Sequence, residues 1–309
     1  MRQFVVFTLI FCFCTVSLVD AQTPKPRWGH QMIYDASMKQ TLVFGGSHNG
    51  QDMGDLWAWN GTSWKMLTET GPAPRIGFVL AYDKKRKETI LFGGRSNEHL
   101  LNDTWKWDGV RWTELKVQGP GPRAHVVGNF DPELGGILVY GGFDVNGPLS
   151  DTWLFDGSDW KKLADNSVIG ESLNQSMTYD EKEKHLVLLT AKLPENKVSE
   201  TWAFKNASWH KISDNTPINA VGTIQAIVSD ANKEIFLFDG TKGTSWKLVD
   251  GEYKKLNDIG PSGRSAYTMV LDSNRKKVVL FGGGVPETNI RYNEVWEWDG
   301  RQWKMVHPK

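Results

Sequence analysis

Pro72-Ala73-Pro74-Arg75, then Leu91-Phe92-Gly93-Gly94, then Trp105 and Trp112 form the stretch from which the fold can be read. An apolar run ends on two glycines, a Trp follows eleven residues later in a short aromatic segment, and a second Trp stands seven further on. The register recurs at Val43-Phe44-Gly45-Gly46 with Trp57 and Trp64, and at Val139-Tyr140-Gly141-Gly142 with Trp153 and Trp160, spaced by 48 residues. Leu280-Phe281-Gly282-Gly283 is a further copy of the glycine pair, and the seven-residue step also links Trp202 to Trp209, Trp246 to Tyr253 and Trp296 to Trp303. Six copies fill residues 26–306 without a gap, and a fixed period of this length marks a repeat architecture.

Each copy divides into four short alternating segments separated by turn signals. In the second copy these are 78–82, 89–92, 104–107 and 111–115, broken by the charged turn 83–88, the loop 95–102 and the hairpin signal Asp108-Gly109. With no helical run anywhere, the pattern predicts an all-β chain: a six-bladed β-propeller with four antiparallel strands per blade. The blades are expected at about 26–67, 68–115, 116–163, 164–212, 213–256 and 257–309, each contiguous in sequence, with a strand swapped between the ends as the alternative. One four-stranded unit cannot bury both faces alone, so each blade gains stability from its neighbours. The i, i+2 pairs Trp57 and Trp59, Trp105 and Trp107, and Trp296 and Trp298 then read as packing between blades, rather than as a platform for sugars.

The Pro72-Ala73-Pro74-Arg75 opening, Gly93-Gly94 and Trp112 give the chain its resemblance to the kelch-repeat family, which spans essentially everything after residue 21. The copies are unequal. The fourth has Thr190-Ala191 where others have glycines, the fifth has Asp239-Gly240 and a short loop before Trp246, and neither has the opening arginine.

Before the repeats lies a signal-peptide layout: Arg2, an apolar run over 4–19, and the small-residue site Val19-Asp20-Ala21. Cleavage near Gln22 and a secreted or periplasmic protein are expected, since sixteen apolar residues fall short of the roughly 20 that span a bilayer; an uncleaved anchor is the other possibility. Cys12 and Cys14 both lie in that run, so the mature chain would lack disulfides, thiolate nucleophiles and Cys-ligated metals. Thirty-six basic residues balance thirty-six acidic ones, which disfavours nucleic acid as a partner and membrane insertion of the mature chain. A monomer is expected.

Strand alternation sends the loops between second and third strands, and the connections between blades, to one face. Short turns make the other, which reads as a quiet, solvated surface. The first face carries the varied segments 47–54, 95–102, 143–150, 192–199 and 284–293, and recognition usually resides on such loops. Arg27, Arg75, Arg123 and Arg264 open the innermost strands there, with His30, Phe78 and Tyr267 three residues after the first, second and fourth. Four guanidinium groups round a channel mouth would suit a carboxylate or an acidic peptide. Their repetition in four copies favours a structural role, each binding backbone carbonyls or a neighbouring acid. Arg95, Glu98, His99 and Arg291, with His48, Asp52, Asp144, Glu195 and Glu287, are loop residues of the same face without that regularity.

Motifs for hydrolytic zinc, nucleophile elbows, phosphate loops and EF-hands are missing from the sequence. No cofactor or metal is expected. The copper chemistry of galactose oxidase, a kelch-type enzyme, needs a Cys-Tyr crosslink that the mature chain cannot form, and the Asp108 and Asp156 turns are one residue shorter than sialidase Asp-boxes. The expected function is a non-catalytic scaffold that binds a protein or glycan partner through the loop face. A cofactor-free mutarotase or isomerase is the alternative, by likeness to periplasmic kelch proteins that interconvert sialic-acid anomers. Asn60, Asn102, Asn174 and Asn206 begin N-glycosylation sequons.

Overall fold

A computed structural model describes residues 23–165, 169, 173–191, 199–214, 216–217, 225–229, 233–256, 260–261, 263–285 and 287–307. The expected signal segment, Glu195 and most of the 192–199 loop lie outside them. Six four-stranded antiparallel sheets, each contiguous in sequence, form the blades. The first has Gln31–Asp35, Gln40–Phe44, Leu56–Trp59 and Trp64–Thr68. The second has Val79–Asp83, Glu88–Ser96, His99–Trp107 and Trp112–Leu115, and the third Val127–Asp131, Gly136–Asp144, Gly147–Phe155 and Trp160–Ala164. The fourth and fifth begin with Leu173–Asp180 and Gln225–Ser229, and the sixth runs from Thr268–Asp272 to Trp303–His307. Among the described residues there is no helix.

In blades 1–4 and 6 the turn after the first strand is drawn by an Asp. Asp83 Oδ1 accepts the amides of Lys85 and Arg86 at 2.9 Å each, and Asp35, Asp131 and Asp180 repeat the pattern. The second strands that follow are buried almost throughout, as Ile90, Leu91 and Phe92 illustrate. In blades 1, 2, 3 and 6 the buried run gives way to a glycine pair for two reasons. Gly93 and Gly94 have φ of 67° and 103°, and a Cβ on Gly94 would stand 2.8 Å from Phe78 Cβ. The opening segment of the blade passes through that space.

The hydrophobic core is six clusters, each lying between neighbouring blades. Leu42 and Phe44 of blade 1 meet Phe78, Leu80 and Trp112 of blade 2, and Trp57, Trp59 and Trp64 meet Val279 and Phe281 of blade 6. This last cluster closes the ring without strand exchange, helped by backbone bonds from Arg27 N to Tyr292 O and from Gly29 N to Ala266 O. The tandem Trp residues belong to these clusters. First strands surround a central cavity of about 260 Å³ that reaches the short-turn face, where Lys84 and Glu181, from blades 2 and 4, pair at 3.3 Å.

Candidate functional site at the loop-face mouth

Each blade-opening arginine turns into its own blade. Arg75 grips Asp103 with both terminal nitrogens at 2.7 and 2.8 Å, donates to Gly93 O at 2.9 Å, and uses Nε on Ala73 O. Asp103 accepts a further bond from Trp105 Nε1 at 2.6 Å. Arg27–Asp55–Trp57 and Arg123–Asp151–Trp153 repeat the clamp, and Arg264–Glu294–Trp296 is a longer-armed version. Burial pushes the Asp55, Asp103 and Asp151 carboxyls up, but the hydrogen bonds and charge of their arginines hold them below the usual range. The four arginines are at most 4% exposed, which fits the structural role that their repetition favours rather than the ligand contact for which they were also candidates.

His30 and Tyr267 are also interior. The His30 ring packs edge-on to Phe281 at 5.2 Å, and burial, then the Arg27 charge, lowers its pKa to about 3. Tyr267 donates to Phe238 O, and desolvation drives its phenol pKa far up. The four arginines, His30 and Tyr267 therefore hold blades together, because the segment following each arginine dives between sheets.

The mouth is formed by the residues between. Gly29, Gly77, His125 and Ala266 each follow the arginine by two and take positive φ. Just before them, Trp28, Ile76, Ala124 and Ser265 bridge to Ser47, Arg95, Phe143 and Gly284. The Arg291 guanidinium lies 5.7 Å over Trp28 and, among the described residues, donates to the Thr288 and Ile290 carbonyls alone, at 2.7 and 2.8 Å. Arg95 donates to Asn97 O and stands 3.6 Å from Glu98, whose side chain is 93% exposed. His125 faces Phe143 edge-on at 6.2 Å, and desolvation followed by the Arg95 charge holds its imidazole below the usual histidine range. Arg291 walls two small cavities, about 170 Å³ beside Trp28 and about 220 Å³ beside Asn49 and Asn289.

The KLHDC2/KLHL20/DRC7 kelch-repeats domain matches residues 3–163. The chain belongs to the kelch-repeat family. No curated protein matches it. Among solved structures, that of YjhT is similar to this kelch chain over 92% of its length and 98% of YjhT, with a TM-score of 0.68 and 14% identity. That likeness concerns the fold.

Of the sequence candidates on this kelch propeller, Arg95 and Arg291 are at the mouth, while Glu98 and His99 stand exposed at a loop tip. His48 and Asp52 are engaged locally, with Pro26 O and the Asn97 amide. Trp28 and Phe143 were not singled out from sequence. Their position, one residue after the arginine or one after the glycine pair, carries a different side chain in each copy. A larger groove, about 710 Å³, lies towards the rim of the same face between the 2–3 loop of blade 1 and the connection to blade 2.

Proposed function

We propose that this kelch propeller is an exported, non-catalytic recognition scaffold that binds a carboxylate-bearing carbohydrate or protein partner at the loop-face mouth. The observation carrying this reading is the contrast among its arginines. Four are themselves buried and consumed by buried or part-buried carboxylates, whereas Arg95 and Arg291 have no such partner among the described residues. A half-exposed guanidinium beside an indole supplies charge, forked donors and an apolar face together, which suits a carboxylate attached to a sugar ring or a peptide.

The test is a thermal-shift screen of the protein against uronic and sialic acids, acidic peptides and neutral sugars. A ligand at about 100 times its dissociation constant stabilises by roughly 2.7 kcal/mol. A rise confined to acidic ligands, lost in Arg291→Ala while the free protein melts unchanged, is expected. Equal shifts with neutral sugars, or none, would reject the reading. Amino-terminal sequencing of exported protein should begin at Gln22.

One observation favours a second reading, a cofactor-free sugar isomerase. The His125 imidazole stands edge-on to Phe143 at 6.2 Å and is held below the usual histidine range by desolvation and the Arg95 charge, and a neutral imidazole can accept a proton. Anomer exchange of an acidic sugar, accelerated by the protein and lost in His125→Ala, would put this reading first.

A further inference from the structure

Blades 3 and 4 carry a charge arrangement that blade 1 lacks in one atom group only. In blade 3, Lys162 lies opposite Trp153, its ammonium 5.5 Å from the indole centroid and paired with Asp165. In blade 4, Lys211 lies opposite Trp202 at 5.2 Å and pairs with Glu200 and Asp214 at 2.8 Å each. The ammonium thus sits over a third-strand Trp, near the acid two residues before that Trp and bonded to the acid five residues after the fourth-strand Trp. Blade 1 keeps all of these surroundings: Trp57, Asp55 and Glu69. Opposite Trp57 stands Met66.

The large groove of about 710 Å³ opens at this spot, with Asp55, Trp57, Met66 and Glu69 in its wall, Pro72 and Pro74 along one side and the exposed Lys25 also lining it, with no ion pair to Glu69 among the described residues. Met66 supplies an apolar stem of lysine-like length without the cationic head. Asp55 is neutralised by Arg27, as Asp151 is by Arg123, but Glu69 has no ion pair among the described residues. Blade 6 also has a Met, Met305, opposite Trp296, but Pro308 stands where the second acid would be. Only blade 1 combines the missing lysine with both acids.

We propose that this groove docks a peptide partner by taking one of its lysine side chains, whose ammonium completes in trans the Trp–acid–acid site that blades 3 and 4 complete in cis. A cation over an indole with flanking carboxylates is favourable where solvent is partly excluded, and the groove is far larger than one ammonium needs. This site is separate from the central mouth and independent of its ligand.

The test uses the full chain with a fluorescein-labelled penta-lysine peptide, read by fluorescence anisotropy at low salt. Met66→Lys fills the site from within and is expected to weaken binding roughly tenfold while keeping or raising the melting temperature. Met305→Lys makes the same charge change where the second acid is missing and should leave affinity unchanged. Glu69→Gln should weaken binding by about fivefold even if Met66→Lys folds poorly, and Arg291→Ala should bind as the parent does. No binding of the peptide, or equal weakening by Met66→Lys and Met305→Lys, would overturn the proposal.

Discussion

Blade 3 and blade 4 are neighbours with the same strand order, yet they hold their third strand by different means. In blade 3 the buried Arg123 reaches across 28 residues to Asp151 and also takes Gly141 O. Blade 4 has no such arginine, and Glu200 is met by Lys211 from the outermost strand. The glycine pair vanishes with the arginine: Thr190 and Ala191 occupy its place. The difference teaches that the arginine and the first glycine are one device, in which left-handed backbone turns a carbonyl towards the guanidinium. Blade 5, with neither, offers its Trp246 only Thr244 Oγ1 at 3.4 Å.

The strongest way to break the comparison is to remove one clamp of each kind. Arg75→Ala strands Asp103 and the Gly93 carbonyl without their buried cation and should cost about 3–5 kcal/mol. Lys211 is 38% exposed, so solvent screens its pair and Lys211→Ala should cost clearly less. Urea denaturation measures both; equal losses would show that the arginine is not the stronger anchor. The acid side carries the same signature. Because the native Asp103 carboxyl is held below its ordinary 3.8, its contribution is complete above that pH and lost as pH falls below it. Arg75→Ala should therefore flatten the acid limb of the stability curve.

How much of this could be read from the sequence follows from where each signal is written. Strands and turns depend on local patterns that recur every 48 residues in the first three copies and at similar spacing after them, so residues such as Asp83, Gly93-Gly94 and Trp112 suffice to place them. The arginine clamp was also legible, since Arg27 and Asp55, Arg75 and Asp103, and Arg123 and Asp151 share one spacing of 28. It stays ambiguous until the side chain's direction is known, because an arginine opening an inner strand can turn into the blade or out to the mouth. The mouth was less legible. Trp28 and Phe143 have no counterpart from copy to copy, and only closure of the ring brings Trp28 under Arg291.

A second set of contrasts lies between blades. The fourth-strand Trp donates Nε1 to a hydroxyl on the preceding blade: Trp160 to Thr104, Trp209 to Thr152 and Trp303 to Ser245, each at 3.0 Å. At the matching positions Leu56 and Val295 offer no acceptor, and Trp112 and Trp64 have no Nε1 partner among the described residues. Thr152→Val should cost about 1–3 kcal/mol by orphaning a buried donor. Val295→Thr, normally a destabilising change in a core, should be neutral or gain up to about 1 kcal/mol by giving Trp64 its acceptor. If both variants lose stability alike, the hydroxyl is not what these tryptophans lack.

The smallest effect tests the turns of the short-turn face. Lys39, Lys87, Lys184, Lys233 and Lys276 all take φ between 53° and 60° at the position where blade 3 has Gly135. In blade 2 that conformation is imposed by Asp83, whose carboxylate fixes the two preceding amides and whose carbonyl accepts Lys87 N at 2.7 Å. Left-handed backbone costs an L-residue about 1–2 kcal/mol, and glycine escapes this but gives up about 0.5–1 kcal/mol of chain entropy on folding. Lys87→Gly should therefore gain only about 0.5 kcal/mol, and Gly135→Ala should lose a similar amount. Matched denaturation curves measure the pair. A gain well above this from Lys87→Gly would mean that the lysine strains the turn beyond its backbone, whereas a loss would show that its side chain contributes a contact offsetting the left-handed cost.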